Sequence, residues 1–325
     1  SSNVERRQFQ KQQLFELGLD YEILNAISID DINKETYKKH YFDWQRPLRN
    51  TEVACYFSHR SAWQKIINKN MPALILEDDA LLSKCVPELL KSFTNKKNVD
   101  FISLEVAGRK KFISKIGENI VCNSKLYRLY QDRNGAAGYV LWPSGAKKLL
   151  EHESLNGIGL ADSHIATCYS IKSYQVEPAA VIQLDQCNDY NVKNSYPKEL
   201  SSSTVSDVEN LKGPFYFQIK RLYSQLKTGL HVVKMLTRNS SMRFINISSK
   251  DLFCFKVVVR SNVFEKLYNY GKYKGMFLQD NWSVSILDSN KTGPILIVLH
   301  HPEVRLRLKV HRWQRGTEKG AANQI

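Results

Sequence analysis

The 325-residue chain lacks features that would define several other classes of protein. No stretch approaches the roughly 20 consecutive apolar residues that a membrane-spanning helix needs. The six cysteines, at 55, 85, 122, 168, 187 and 254, form no C-x-x-C pair. That excludes a zinc ribbon or a thioredoxin-like motif, and the scatter suits reduced, packed thiols in a cytoplasmic protein. The opening residues, SSNVERRQFQKQQ, carry no secretory-leader pattern. There is no internal repeat and no recognised nucleic-acid motif, so no nucleic-acid partner is expected. Acidic residues are missing from 210 to 250, where eight Lys and Arg stand.

Hydrophobic residues make up 42% of the chain and aromatics 11%, enough for a packed core and too much for global disorder. The net charge of +15 is lopsided. Residues 1–209 hold 27 Lys+Arg against 26 Asp+Glu, and residues 210–325 hold 20 against 6. Such asymmetry points to an anionic partner: nucleic acid, an acidic membrane surface or a phosphorylated substrate. A merely solvated basic face is the plainer alternative.

Hydrophobic spacing predicts helices over 4–17, 30–39 and from an N-cap at Thr51 to about Asn70. Leu19–Ile23 alternates like a strand. Ala73–Leu76 is an apolar run with no polar face, as in a central parallel strand. Helix 86–93, strand 100–104, strand 139–142, a helix opening at Pro143, helix 161–170 and an extended segment at 174–182 follow. Strands alternating with helices argue for an α/β fold with a mostly parallel sheet. We divide the chain into a catalytic domain over 1–185, a polar linker or long loop over 186–213, and a basic C-terminal region over 214–325. That region opens with an amphipathic helix at 215–237, whose stripe holds Phe215, Ile219, Leu222, Tyr223, Leu226, Leu230 and Val233. A capped helix from Ser261 and extended segments near 276–287, 294–300 and 304–310 predict a small α+β appendage.

Glu77-Asp78-Asp79 stands at the end of the 73–76 strand, where open α/β sheets place a ligand crevice. Three adjacent anions repel one another, so a positive charge belongs there. Mg²⁺ or Mn²⁺ would suit, because hard cations prefer carboxylate and phosphate oxygens. By itself the triplet also fits a solvated loop or a metal-dependent phosphohydrolase or phosphotransferase, whereas the alternative of a non-catalytic nucleic-acid- or membrane-binding protein would explain the basic C-terminal third and not the triplet.

Its surroundings narrow the choice. Glu52-x-x-Cys55-x-x-Ser58-His59, then Trp63-x-x-Ile66, then Leu74-Ile75-Leu76-Glu77-Asp78-Asp79-Ala80 resemble the signature of glycosyltransferase family 25, the bacterial lipooligosaccharide glycosyltransferases. Ser2 to Arg7 and Gly138–Leu150 are similar to further segments of that family, so the likeness spans roughly 2–185. The resemblance also implies an apolar strand ahead of Ser2. The sequence does not contain one, and the expectation is that a preceding segment supplies it.

The resemblance implies a GT-A-like fold and inverting transfer of a hexose, often galactose from UDP-galactose, to a lipooligosaccharide core. It makes Glu77 and Asp79 candidate metal ligands. Arg6, Arg7, Ser58, His59 and Asp78 become candidates for the donor nucleotide. Asp162 is the candidate base, a helix N-cap being its plainer reading. Asn134, Gly135, Ala136 and Gln183 fall on the acceptor side. A buried, hydrogen-bonded His59 and solvent-facing arginines are the structural alternatives. Lys220, Arg221, Lys227, Lys234 and Arg238 fit a helix resting on an anionic bilayer, which predicts a peripheral location on the inner face of the bacterial inner membrane. Oligomeric state is not legible.

Overall fold

The computed structural model describes residues 4–131, 135–192 and 213–252, and three further strands at 283–288, 295–300 and 305–310. The chain forms two compact units, Ser1–Phe253 and Cys254–Ile325. The first is an α/β sandwich of GT-A-like type. In chain order it holds α1 (Val4–Glu16), α2 (Lys34–His40), α3 (Asn50–Lys69), β1 (Ala73–Leu76), β2 (Ala80–Leu82), α4 (Val86–Phe93), β3 (Phe101–Ser103), β4 (Lys111–Asn119) and β5 (Lys125–Gln131). Then come β6 (Gly138–Leu141), α5 (Pro143–Asn156), α6 (Ala161–Thr167), β7 (Ser173–Glu177), β8 (Val181–Gln183), α7 (Tyr216–Leu236) and β9 (Ser240–Arg243). The second unit contains an antiparallel meander of β10 (Ser283–Asp288), β11 (Ile295–His300) and β12 (Arg305–Val310). The helix expected from Ser261 lies outside the described residues.

The main sheet has the order β1-β6-β3-β7-β5-β4-β9. β1 and β3 both run against β6, and β3 lies parallel to β7 with Phe101 beside Ser173. The parallel share is therefore smaller than the sequence suggests: β3–β7 is the one parallel pair in this sheet among the described residues. The reason is connectivity. β4 and β5 are joined by a short turn and can pair only antiparallel, and β6 enters between β1 and β3 in reverse. β1 is not the buried central strand expected of its apolar sequence. It forms the sheet edge, exposed or half-buried, with β6 its one partner among the described residues.

Leu19–Ile23 is not a strand; it finds no neighbour to pair with among the described residues, and Tyr21, Ile23 and Leu24 are exposed. The 174–182 segment splits, and β8 leaves the main sheet to pair with β2. α3 begins one residue ahead of Thr51, because Glu52 organises its start. The Glu52 carboxylate accepts from the Arg49 N–H at 2.9 Å and pairs with Arg46 and Arg49.

Leu14 of α1 and Val86, Leu89 and Phe93 of α4 pack with Ile102, Val140 and Val176 of the sheet, and with Leu104 just after β3, in one core. A second contact joins α3, α5 and α6 to the sheet, where buried Trp63 donates from Nε1 to the Tyr139 hydroxyl at 2.9 Å. Gly145 lets α5 come this close: a Cβ there would sit 2.4 Å from the Asp100 carbonyl oxygen. β9 extends the main sheet by pairing with β4, and the two compact units divide after Phe253. Among the described residues no helix is long and apolar enough to cross a membrane.

Candidate functional site

Glu77, Asp78 and Asp79 form the turn between β1 and β2, and its backbone is held from three sides. The Glu77 N–H donates to the Ala137 carbonyl at 2.9 Å, and the Asp79 carbonyl accepts from Leu184 N–H at 3.0 Å. From α1, Gln10 donates to the Ala80 carbonyl at 2.7 Å. Buried Gln13 donates to the same carbonyl at 3.0 Å and accepts from Leu82 N–H at 2.8 Å. The family-like N-terminal segment thus folds into a helix that clamps the acidic turn.

The three carboxylates are not equivalent. Arg6 lies 3.0 Å from Asp78 Oδ1 and 3.6 Å from Asp79 Oδ2. Glu77 accepts from Gln183 at 3.3 Å and meets His59 Nε2 at 3.2 Å. Asp79 is buried, and its Oδ1 has no hydrogen-bond partner among the described residues. Burial, reinforced by the charge of Glu77 and of the other two nearby carboxylates and opposed by Arg6, pushes the Asp79 carboxyl up to about 7. One of those neighbours is Asp185, a fourth carboxylate that the sequence reading overlooked. Its position at the edge of a polar stretch carried no periodic signal. Its own acidity is weakened chiefly by burial.

His59 is buried and bridges the core to this turn, with Nδ1 3.0 Å from the Tyr139 hydroxyl. Burial alone would push it down, but Tyr139, Cys55 and Glu77 more than offset this, and its pKa lies well above the usual histidine value. Ser58 does not reach the turn; its hydroxyl donates to the Ala54 carbonyl and accepts from Ile27 N–H. Arg6 is the arginine at the site, and Arg7 is exposed. Among the described residues no three His, Cys, Asp or Glu side chains form a ready-made metal group. A magnesium-like ion does not require one, since it is commonly held by one or two carboxylates plus substrate phosphates. The Asp79 oxygen without a partner among the described residues, beside Glu77, offers a donor set of that kind.

Asp162 belongs to a second group. It occupies the first turn of α6 after the cap residue Leu160, so the N-cap reading does not hold. With Gly135 it lines a cavity of about 190 Å³ between β5, α6 and α7, which also includes Arg128, Tyr130, His231 and Lys234. Gly135 has φ +107°, and a Cβ there would meet the Glu105 carboxylate at 2.7 Å. Ala136 is buried, and Ala137 ties this loop to Glu105 through its N–H at 2.8 Å and to Glu77 through its carbonyl. Asn134 lies outside the described residues. Gln183 faces the acidic turn rather than this cavity.

A clamped acidic turn at the end of a strand in a GT-A-like sandwich is the arrangement of a sugar-transferring enzyme class. The sequence profile described as glycosyltransferase family 25 (LPS biosynthesis protein) matches residues 1–162, and through them the chain belongs to that family. The lipooligosaccharide biosynthesis protein lic2B of Haemophilus influenzae is 26% identical over 190 residues, covering 54% of this chain and 65% of that protein. A second protein of the same organism is 29% identical over 156 residues, 46% of this chain and 54% of its own length. Procollagen galactosyltransferase 1-A of Xenopus laevis is 27% identical over 182 residues, 51% of this chain and 29% of that protein. The chain therefore spans between half and two thirds of the bacterial relatives' length.

Proposed function

We propose that the chain is an inverting hexosyltransferase that moves a sugar, galactose from UDP-galactose being the leading candidate, onto a lipooligosaccharide core. The observation that carries this reading is the clamped turn in which buried Asp79 keeps one oxygen without a partner among the described residues. The lic2B likeness supports the acceptor class, and the procollagen galactosyltransferase likeness supports galactose.

In this reading Asp79 and Glu77 would hold Mn²⁺ or Mg²⁺, which would supply neutralisation of the charge on the departing UDP. Arg6 and Asp78 flank the nucleotide. His59 is a positioning residue that fixes Glu77. Asp162 takes the proton of the acceptor hydroxyl as that oxygen bonds to the anomeric carbon, and the bond from that carbon to the diphosphate breaks with its electron pair leaving on UDP. A base on the face opposite the leaving group is what inversion requires.

α7 supports a peripheral membrane location. Ile219, Leu222, Tyr223, Leu226, Leu230 and Val233 are all more than half exposed on it, in a segment without acidic residues. The acceptor class is lipid-linked, so adsorption would bring enzyme and acceptor together.

The test is a donor screen with truncated lipooligosaccharide acceptors, read by mass spectrometry. A mass gain of one hexose with UDP-galactose and a divalent ion is expected. No gain with any UDP-sugar on any truncated core would overturn the reading.

A further inference from the structure

The cavity that contains Asp162 has a basic wall that the proposed chemistry leaves unused. Arg128 of β5 is half-buried there, donates to the Ser173 carbonyl, and lies over the rings of Tyr174 at 5.2 Å and Tyr130 at 6.0 Å. Lys234 of α7 and Arg238 just beyond it line the same space. None of these three cations has a carboxylate partner among the described residues. Burial lowers the basicity of Arg128; Tyr174, Tyr130 and the charge of Asp100 oppose this in part, and Arg238 adds to it. His231 is stacked on Tyr169 with ring centroids 3.8 Å apart and contacts the Tyr130 carbonyl at 3.2 Å. Burial pushes its pKa down, the Tyr130 carbonyl opposes this, and Lys234 and Arg238 add to it. Asp162 is the single carboxylate of the lining among the described residues.

Three cations around one cavity, one of them partly desolvated, repel one another, and an anion would relieve that repulsion. Guanidinium groups bind phosphate and carboxylate through paired N–H donors, and a flanking tyrosine suits a sugar ring. The space corresponds to about six waters at ~30 Å³ each. Glu77, Asp78 and Asp79 are not in its lining, so it is separate from the turn assigned to the donor diphosphate.

We propose that this cavity is an acceptor subsite for an anionic sugar, whose phosphate or carboxylate is held by Arg128, Lys234 and Arg238. The subsite rests on the glycosyl-transfer reading for the word acceptor, and on the cavity alone for its anion. Lys234 and Arg238 then act on the acceptor and not on bilayer lipid. The basic residues of α7 thus divide between two tasks.

Calorimetric titration of the full chain with inorganic phosphate, glucose 6-phosphate, glucuronate and glucose tests the proposal. UDP with Mn²⁺ is titrated in parallel. Lys234 and Arg238 are exposed, so the K234Q/R238Q variant keeps the fold; Arg128→Lys is a second variant. Wild type is expected to bind phosphate and at least one acidic sugar, more weakly as salt rises from ~50 to ~200 mM, and to ignore glucose. The tighter of the two acidic sugars identifies the anion. K234Q/R238Q should weaken that binding by about tenfold or more and leave UDP affinity within about twofold. Unchanged phosphate binding in both variants overturns the subsite. A parallel loss of UDP affinity assigns the cavity to the donor and overturns it as well. Phosphate binding lost in K234Q/R238Q, in a chain that never binds UDP, contradicts the transferase reading and leaves an anion site that is not an acceptor site.

Discussion

Asp79 answers to opposite influences. Burial and the neighbouring carboxylates disfavour its charge, while Arg6 favours it. With a folded pKa of about 7 against an ordinary 3.8, the folded chain holds a proton that the unfolded chain releases between those values. Wild-type stability therefore falls, through this group, as pH rises from about 4 to 7. Asp79→Asn should gain stability relative to wild type across that window, with no further gain above it, in melting curves taken at several pH values. A stability difference between this variant and wild type that does not vary with pH would contradict the assignment. His164 works in the opposite sense. Burial holds its pKa down to about 4, so the unfolded state takes up the proton first and stability is lost as pH falls from 6.5 to about 4. The full shift corresponds to about 3 kcal/mol, and His164→Gln should flatten this acid limb. For the chemistry, Asp162→Asn should retain UDP affinity while turnover drops by about 100-fold or more. Near-normal turnover would remove Asp162 from the role of base.

At the scale of elements, the α1–turn clamp explains why a helix far from β1 in sequence matters to the site. Gln13 satisfies two buried backbone groups of β2. Gln13→Ala should cost about 1–3 kcal/mol by leaving the Leu82 N–H unsatisfied, while Gln10 still serves the Ala80 carbonyl, and should weaken UDP binding because α1 carries Arg6. Loss of stability with unchanged UDP affinity would mean that α1 does not serve the nucleotide. Gly145→Ala should likewise destabilise the chain, since Asp100 backbone, not a flexible side chain, occupies the space of the new Cβ. α3, α4, α5, α6 and β3 were legible in the sequence because each carries its own periodicity or cap. The β4–β5 hairpin was not: register shifts at Phe112, Ile113 and Gly117 break the alternation that marks a strand. Of the candidate site, the acidic turn, His59, Gln183 and Arg6 were legible and lie together. Asp185 and Arg128 were not, because what marks them is the neighbours that folding brings, not spacing along the chain.

Along the sequence the excess positive charge falls in residues 210–325, after the acidic triplet, and α7 carries apolar and basic residues without any acid. The membrane reading predicts that the chain co-sediments with vesicles containing anionic lipid, less so at ~200 mM salt, and not with neutral vesicles. Leu222→Glu together with Leu226→Glu should abolish the association without changing the melting temperature, as both side chains are exposed. Vesicle binding that survives this change would place the contact elsewhere. The central claim is that the Glu77–Asp79 turn binds a sugar nucleotide through its diphosphate. Calorimetric titration of UDP with and without Mn²⁺, on wild type and Asp79→Ala, tests it most directly. The account predicts metal-dependent UDP binding by wild type and none by the variant. Equal binding by the two proteins would contradict it.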